Sequence, residues 1–269
     1  MRPLLSLLIY SNTWVALCFS VLLYGISNYY GVKNVYLFTL WGFTGTVTSY
    51  QLHRIIRLKQ LYHTVRSNRR LLWMQNTYHF QLIWLICNLL CFLVFTFMIP
   101  FNLPSLFLIL FNGLVVGLYA FPLPIIGNGI RNLPFAKNIL ICLSWTSVII
   151  IPLAEENIPF DWSVPCLIFI AVFAQIIPFD NRDLQHDPPT MRTIPQLVGT
   201  KAAQVIGFSL LLISCYIQFE LLGFHWIFIG ILISGIIGHL FSFKIGYQLR
   251  QEFMWELPLG LMGLWFLFA

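Results

Sequence analysis

Long apolar runs separated by short polar breaks fill this chain from end to end. Nine of them approach or reach the roughly 20 residues that a helix needs to cross a hydrocarbon core about 30 Å thick. They cover residues 8–28, 35–57, 80–99, 103–124, 133–154, 162–179, 202–219, 224–243 and 253–268. Two polar segments are longer than the rest. The first, 58–79, reads LKQLYHTVRSNRRLLWMQNTYH, basic and aromatic together, which predicts an amphipathic helix lying on the inner leaflet. The second, 181–201, is rich in charge and proline and predicts a loop or cap. They follow the second and sixth runs and so stand four helices apart, the spacing of a duplicated four-helix unit with a ninth helix appended.

Composition places this pattern in a membrane. Of the 269 residues, 59% are hydrophobic and only 9% charged, against roughly 25% charged in a soluble globule. The chain lacks the polar surface to stay in water, and one integral membrane domain over 1–269 is expected. Cytoplasmic loops collect Lys and Arg. With the amino terminus inside, Arg2, the six bases from Arg54 to Arg70, Arg131, Lys137, Arg182, Arg192, Lys201, Lys244 and Arg250 all fall at inner helix ends. That is 14 of 15, with Lys33 alone outside, beside Glu155, Glu156, Asp161 and Glu220. The expected location is therefore a multi-pass protein of a bacterial inner membrane. The first apolar run lacks a small-residue cleavage site and reads as the first helix rather than a cleavable signal.

Charge and cysteine content narrow the chemistry further. The net charge of +6 hugs membrane-adjacent segments, which points to topology and lipid phosphate rather than to nucleic acid. The six cysteines all lie in apolar runs without a CxxC pair, as buried structural thiols do.

One constellation stands out. Asp180, Asp183 and Asp187 sit where the sixth run meets the cytoplasm, spaced i, i+3, i+7, which puts three carboxylates within about 60° of one another on a helix. Carboxylates so placed repel one another unless a cation lies among them, and Mg²⁺ binds through a few carboxylates plus substrate phosphates. The plainer alternative is three solvated aspartates at a helix end, offset by Arg182 and Arg192.

The run DNRDLQHDPPTMRTIPQLVG, residues 180–199, resembles the second aspartate-rich motif and following loop of the UbiA-type intramembrane prenyltransferases. The resemblance implies an all-α bundle of about nine transmembrane helices with a central cavity open toward the cytoplasm. It also implies aspartate-rich motifs at the inner ends of the second and sixth helices. A member would bind an isoprenyl diphosphate through Mg²⁺ and pass the prenyl group to an apolar acceptor. On this resemblance Asp180, Asp183 and Asp187 are the metal-binding and catalytic residues. A weaker echo is YAFP, residues 119–122, where the family often has a tyrosine followed by prolines and a lysine; here the lysine position reads Ile125 or Ile126. Tyr119 is a substrate-binding candidate on that basis.

The second helix departs from the family pattern. Where members carry NDxxDxxxD, this chain reads SYQLHRIIR, so that Tyr50, His53 and Arg57 occupy the face that acids would fill, with Arg54 beside them. Loss of the acids removes metal binding on that side, while arginine and histidine can contact a diphosphate directly. Two readings follow. In one, a single Mg²⁺ on the three aspartates and the bases His53, Arg54, Arg57 and Arg192 hold the diphosphate, and prenyl transfer survives. In the other, catalysis is lost and the fold binds a lipid, a phosphorylated ligand or a partner protein. A transporter fits less well, because no run is broken at mid-membrane by glycine or proline beside paired charges.

Other intramembrane polar residues read as structural. Glu256 would pair with Arg250, His239 would sit within the eighth helix, and Asn12, Asn88 and Asn112 would bridge helices. Gly42, Gly45, Gly113, Gly117, Gly230, Gly235 and Gly238 would admit close helix packing.

Overall fold

In the computed structural model, residues 2–60, 69–120, 133, 135–184, 191–240 and 248–269 are described. They form twelve helices and no strand. In chain order these are α1 (Arg2–Tyr10), α2 (Thr13–Tyr29), α3 (Val35–Gln60), α4 (Arg69–Asn76), α5 (Tyr78–Met98) and α6 (Leu103–Ala120). There follow α7 (Ala136–Glu155), α8 (Ser163–Asp183), α9 (Ile194–Val198), α10 (Thr200–Leu222), α11 (Ile227–Leu240) and α12 (Gln248–Phe268). Within the described residues the nine apolar runs fall largely on helix, the first of them divided between α1 and α2. Four, α5, α7, α8 and α10, are long and apolar enough to cross a bilayer, and the bent pair α1–α2 counts as a fifth if taken as one span.

The helices close into a ring. The contacts run α2 to α3, α3 to α5 and α6, α6 to α7, α7 to α8, α8 to α10, α10 to α11, α11 to α12, and α12 back to α2. Position in the ring follows side-chain character. In α8, 67% of the apolar window is buried, against 17% in α5. The α5 face instead exposes Phe97, Val94, Leu90 and Ile83, as a lipid-facing helix does, because exposed apolar surface is stable only where the solvent is itself apolar.

The tightest crossing joins α2 to α12. A Cβ built on Gly25 would fall on the carbonyl oxygen of Gly263, and one built on Gly263 would fall on the carbonyl oxygen of Val21. Only two glycines let these backbones touch. The same test corrects part of the small-residue expectation. Gly42, Gly45 and Gly235 pack against Leu23, Phe92 and Leu211, whereas Gly113 and Gly117 meet nothing within 4 Å. Asn112 does bridge helices, donating to the Ser144 carbonyl at 3.0 Å and the Ser147 hydroxyl at 2.9 Å. Asn88 only caps its own turn, on the Trp84 carbonyl.

The two polar segments take on structure. Residues 61–68 lie outside the described residues, but α4 folds back so that Met74 and Leu58 share a small apolar cluster with Leu72, Trp73 and Tyr78. In the second segment α8 continues to Asp183, and the short α9 opens with a capping box between Thr193 and Gln196.

Connections alternate between the ends of the bundle. At one end the two carboxylate oxygens of Glu156 accept the backbone N–H of Lys33, at 2.9 and 3.0 Å, and Glu155 accepts that of Asn102 at 2.6 Å. Lys33, Glu155 and Glu156 therefore share an end, as the charge pattern requires.

Candidate functional site

The opposite end gathers buried charge. Asp180, on the last turns of α8, is 1% exposed. Its Oδ1 lies 2.7 Å from Nζ of Lys137, and its Oδ2 accepts from the Asn138 side-chain amide at 2.8 Å. Both partners stand in the first turn of α7, where an uncompensated helix N-terminus also favours negative charge. The packing of α7 on α8 thus delivers a lysine to the aspartate.

Three residues on, Arg182 grips Asp183 with two parallel hydrogen bonds, Nε to Oδ1 at 2.7 Å and Nη2 to Oδ2 at 2.9 Å. Its remaining Nη1 donates to Glu252 of α12 at 2.8 Å. The guanidinium lies over the rings of Phe179 and Trp255, at 5.2 and 5.8 Å, which holds its plane and adds cation–π attraction. Glu252 is shared with Arg70 of α4 at 3.3 Å. Arg70 also donates to the Ile9 carbonyl and the Asn12 side chain at the α1–α2 break. Burial lowers the Arg70 pKa from its ordinary value, the nearby Glu252 carboxylate working in the opposite direction.

From Arg70 the polar chain runs on. Asn12, in the left-handed region at φ 62°, donates to Gln51 of α3 at 3.0 Å; Gln51 donates to Gln81 of α5, and Gln81 to Thr77. Asn12 and the two glutamines are buried. Buried amides need partners, and here each finds one on a neighbouring helix or turn, so the seam ties α8, α12, α4, α2, α3 and α5 into one arrangement.

The residues singled out from the sequence distribute as follows. Asp180 and Asp183 stand at this end but are held by cations of the chain rather than facing one another across an ion. Asp187 lies outside the described residues. His53 of α3 and Tyr119 of α6 come together, ring centroids 4.8 Å apart. Arg54 reaches the Tyr10 carbonyl at 3.4 Å. The Arg57 side chain lies outside the described residues, as does that of Arg250, the expected partner of Glu256. Arg192 is exposed, with φ 45°, on the link into α9. His239 is buried against Gly207, a packing role.

Sequence reasoning missed Glu252 and Arg70 as site residues, and it took Lys137 only as a base near a loop. A signal for Glu252 was present: Glu252 and Glu256 stand i, i+4 on one face at the start of a helix that is apolar from Leu257 onward.

Among the described residues no group of three His, Cys, Asp or Glu side chains could hold a metal ion. The charges explain why. Asp180 is paired with Lys137, Asp183 with Arg182, and Glu252 with Arg182 and Arg70, and α3 contributes no acid. A dication entering here would have to displace a lysine or an arginine from its carboxylate. The described donor set does not fit Mg²⁺.

With this geometry in view, the solved structures that resemble the chain are informative. A UbiA homolog from Archaeoglobus fulgidus, bound to GPP and Mg²⁺, superposes with a TM-score of 0.59 at 13% identity, over 98% of this chain and 100% of that one. Another structure of a UbiA homolog from Archaeoglobus fulgidus gives 0.60 at 15% identity, again over 98% and 100%. The fold is that of the UbiA homologues. A structure concerned with digeranylgeranylglyceryl phosphate synthase in membranes matches at a TM-score of 0.52 and 16% identity, over 100% of this chain and 98% of that one. No family model and no curated protein matches the sequence. At 13–16% identity the likeness is one of fold, and it extends over the whole chain.

Proposed function

We propose that this protein is a membrane prenyltransferase that takes an isoprenyl diphosphate at the charged end of the bundle and passes its prenyl group to an apolar acceptor. The reading rests on one observation. The second and sixth apolar runs, α3 and α8, bring their charged segments to the same end of a bundle that has the fold of structures holding GPP and DMAPP. That end, carrying 14 of the 15 Lys and Arg, faces the cytoplasm in this reading.

The chemistry asks little covalent work of the protein. The allylic carbon–oxygen bond breaks with its electron pair leaving on the diphosphate. The acceptor's electron pair then forms the new bond to carbon and its proton departs. Negative charge develops on the leaving group, and preorganised cations stabilise it without reorganising. His53, Arg54 and Arg70 supply them on the α3 side. Lys137 and Arg182 supply them on the α8 side, each already oriented by a carboxylate.

One observation favours a second reading, a non-catalytic relative that binds a diphosphate or phospholipid: α3 carries no carboxylate at all. Release of inorganic diphosphate separates the two. The purified protein, given geranylgeranyl diphosphate and a membrane lipid extract as acceptor source, is expected to release diphosphate and to yield a prenylated lipid by mass spectrometry. Binding without release would favour the non-catalytic reading, and neither binding nor release would reject both.

A further inference from the structure

We infer that this site binds the diphosphate on the protein's own cations and does not require a divalent metal. The inference rests on the reading of the site as a diphosphate site, and it concerns how the charge of that ligand is met.

The first ground is that, among the described residues, Asp180, Asp183 and Glu252 are already paired with cations of the chain. Asp180 is held by Lys137 at 2.7 Å and by Asn138 at 2.8 Å, with the Asp180 side chain fully buried and that of Lys137 9% exposed. Asp183 is engaged on both oxygens by Arg182, and Glu252 by Arg182 and Arg70. For Mg²⁺ to take Asp180, the buried Lys137 ammonium would lose its 2.7 Å contact with that carboxylate. A loss of that kind weakens metal binding by roughly a hundred- to a thousand-fold.

The second ground is the other wall. A metal-dependent diphosphate site needs acids to hold the ion, and α3 presents Tyr50 and His53 where acids would be required, with Arg54 beside them. His53 packs against Tyr119 with the two rings tilted, centroids 4.8 Å apart. Among the described residues Arg54 makes a long contact, to the Tyr10 carbonyl at 3.4 Å, and its fork suits phosphate oxygens.

The third ground is the overall field. By the topology argued above, this end carries 14 bases and five acids, a net of +9, and the opposite end one base and four acids, a net of −3. A surplus of that size attracts a multivalent anion without an intermediary ion. Lys137 and Arg182 thus occupy the electrostatic role that a dication plays where carboxylates are free.

The test uses the full-length protein in detergent and radiolabelled geranylgeranyl diphosphate. The expected result is a dissociation constant in EDTA within about threefold of that in millimolar Mg²⁺, and at least a tenfold weakening in Arg54→Met under both conditions. Mn²⁺ alone, followed by its EPR signal, is expected to remain unbound in the millimolar range. In Lys137→Met, which releases Asp180, Mn²⁺ binding is expected to appear. Binding that needs Mg²⁺ by more than tenfold, or tight Mn²⁺ binding to the unaltered protein that is lost in Asp183→Asn, would overturn the inference and leave the prenyl diphosphate reading standing. Absence of binding in either condition would overturn both. The measurements on the unaltered protein decide the matter even if Lys137→Met does not fold.

Discussion

Replacing Lys137 by methionine removes one half of the buried pair with Asp180 and leaves the shape of the site nearly unchanged. At 2.7 Å and an effective dielectric near 20, the Coulomb attraction between the two charges is about 6 kcal/mol. Desolvation of both groups offsets much of it, so the pair as a whole stabilises the fold by far less. Truncating one partner is different, because the Asp180 carboxylate stays buried, with the Asn138 amide still donating to it, but without the ammonium 2.7 Å away. Such a loss costs about 3–5 kcal/mol. For a chain of this size about 2–4 °C of Tm follows each kcal/mol, so a fall of roughly 6–20 °C is expected. A thiol-reactive dye can follow unfolding in detergent, since Cys142, one turn beyond Asn138, and Cys215 are both buried. The double variant Lys137→Met with Asp180→Asn should recover at least half of the loss, because no charge then remains buried alone. A single-variant cost below about 1 kcal/mol, the size of an exposed ion pair, would refute the reasoning. So would a double variant no more stable than the single one.

Gly25→Ala or Gly263→Ala should cost about 1–3 kcal/mol or more by forcing α2 from α12, whereas Gly117→Ala, with open space at its Cβ, should be neutral or up to about 1 kcal/mol stabilising; the same dye assay compares them. Asn112→Ala should lose about 1 kcal/mol by breaking the bridge from α6 to α7, read as a Tm shift. Asp161 accepts the Ser163 N–H at 2.8 Å at the start of α8, and that hydrogen bond holds its carboxyl below the usual aspartate pKa. Its contribution is therefore present above about pH 4 and fades as pH falls through the depressed value. The Ser163 amide should show greater hydrogen-exchange protection than in Asp161→Ala at pH 6, with the difference shrinking toward pH 3.

Much of the fold was legible because a membrane imposes a coarse rule: every spanning segment must satisfy its backbone internally and present apolar side chains. The runs at 80–99, 133–154, 162–179 and 202–219 needed no partner to be read as helices, and α5, α7, α8 and α10 carry them. The alternation of basic and acidic ends is likewise a property of the chain alone, and Lys33 meeting Glu156 follows from it. Asn112 could be read as a helix bridge because an amide in an apolar helix must find a partner.

The site was legible only in part, since pairing is a property of two chain segments at once. The spacing of Asp180 and Asp183 placed two carboxylates on one helix face, as the sequence by itself determined. What they would meet depended on α7 and α12, 40 to 70 residues distant, whose approach brought Lys137 to one acid and set Glu252 beside the Arg182 that holds the other. A carboxylate's chemistry is set by its nearest opposite charge within a few ångströms, and only tertiary packing decides which charge that is. The Gly25–Gly263 contact shows the same division: composition announces that glycines are available for close packing, while the angle at which α2 meets α12 decides that these two are used and that Gly113 and Gly117 are not.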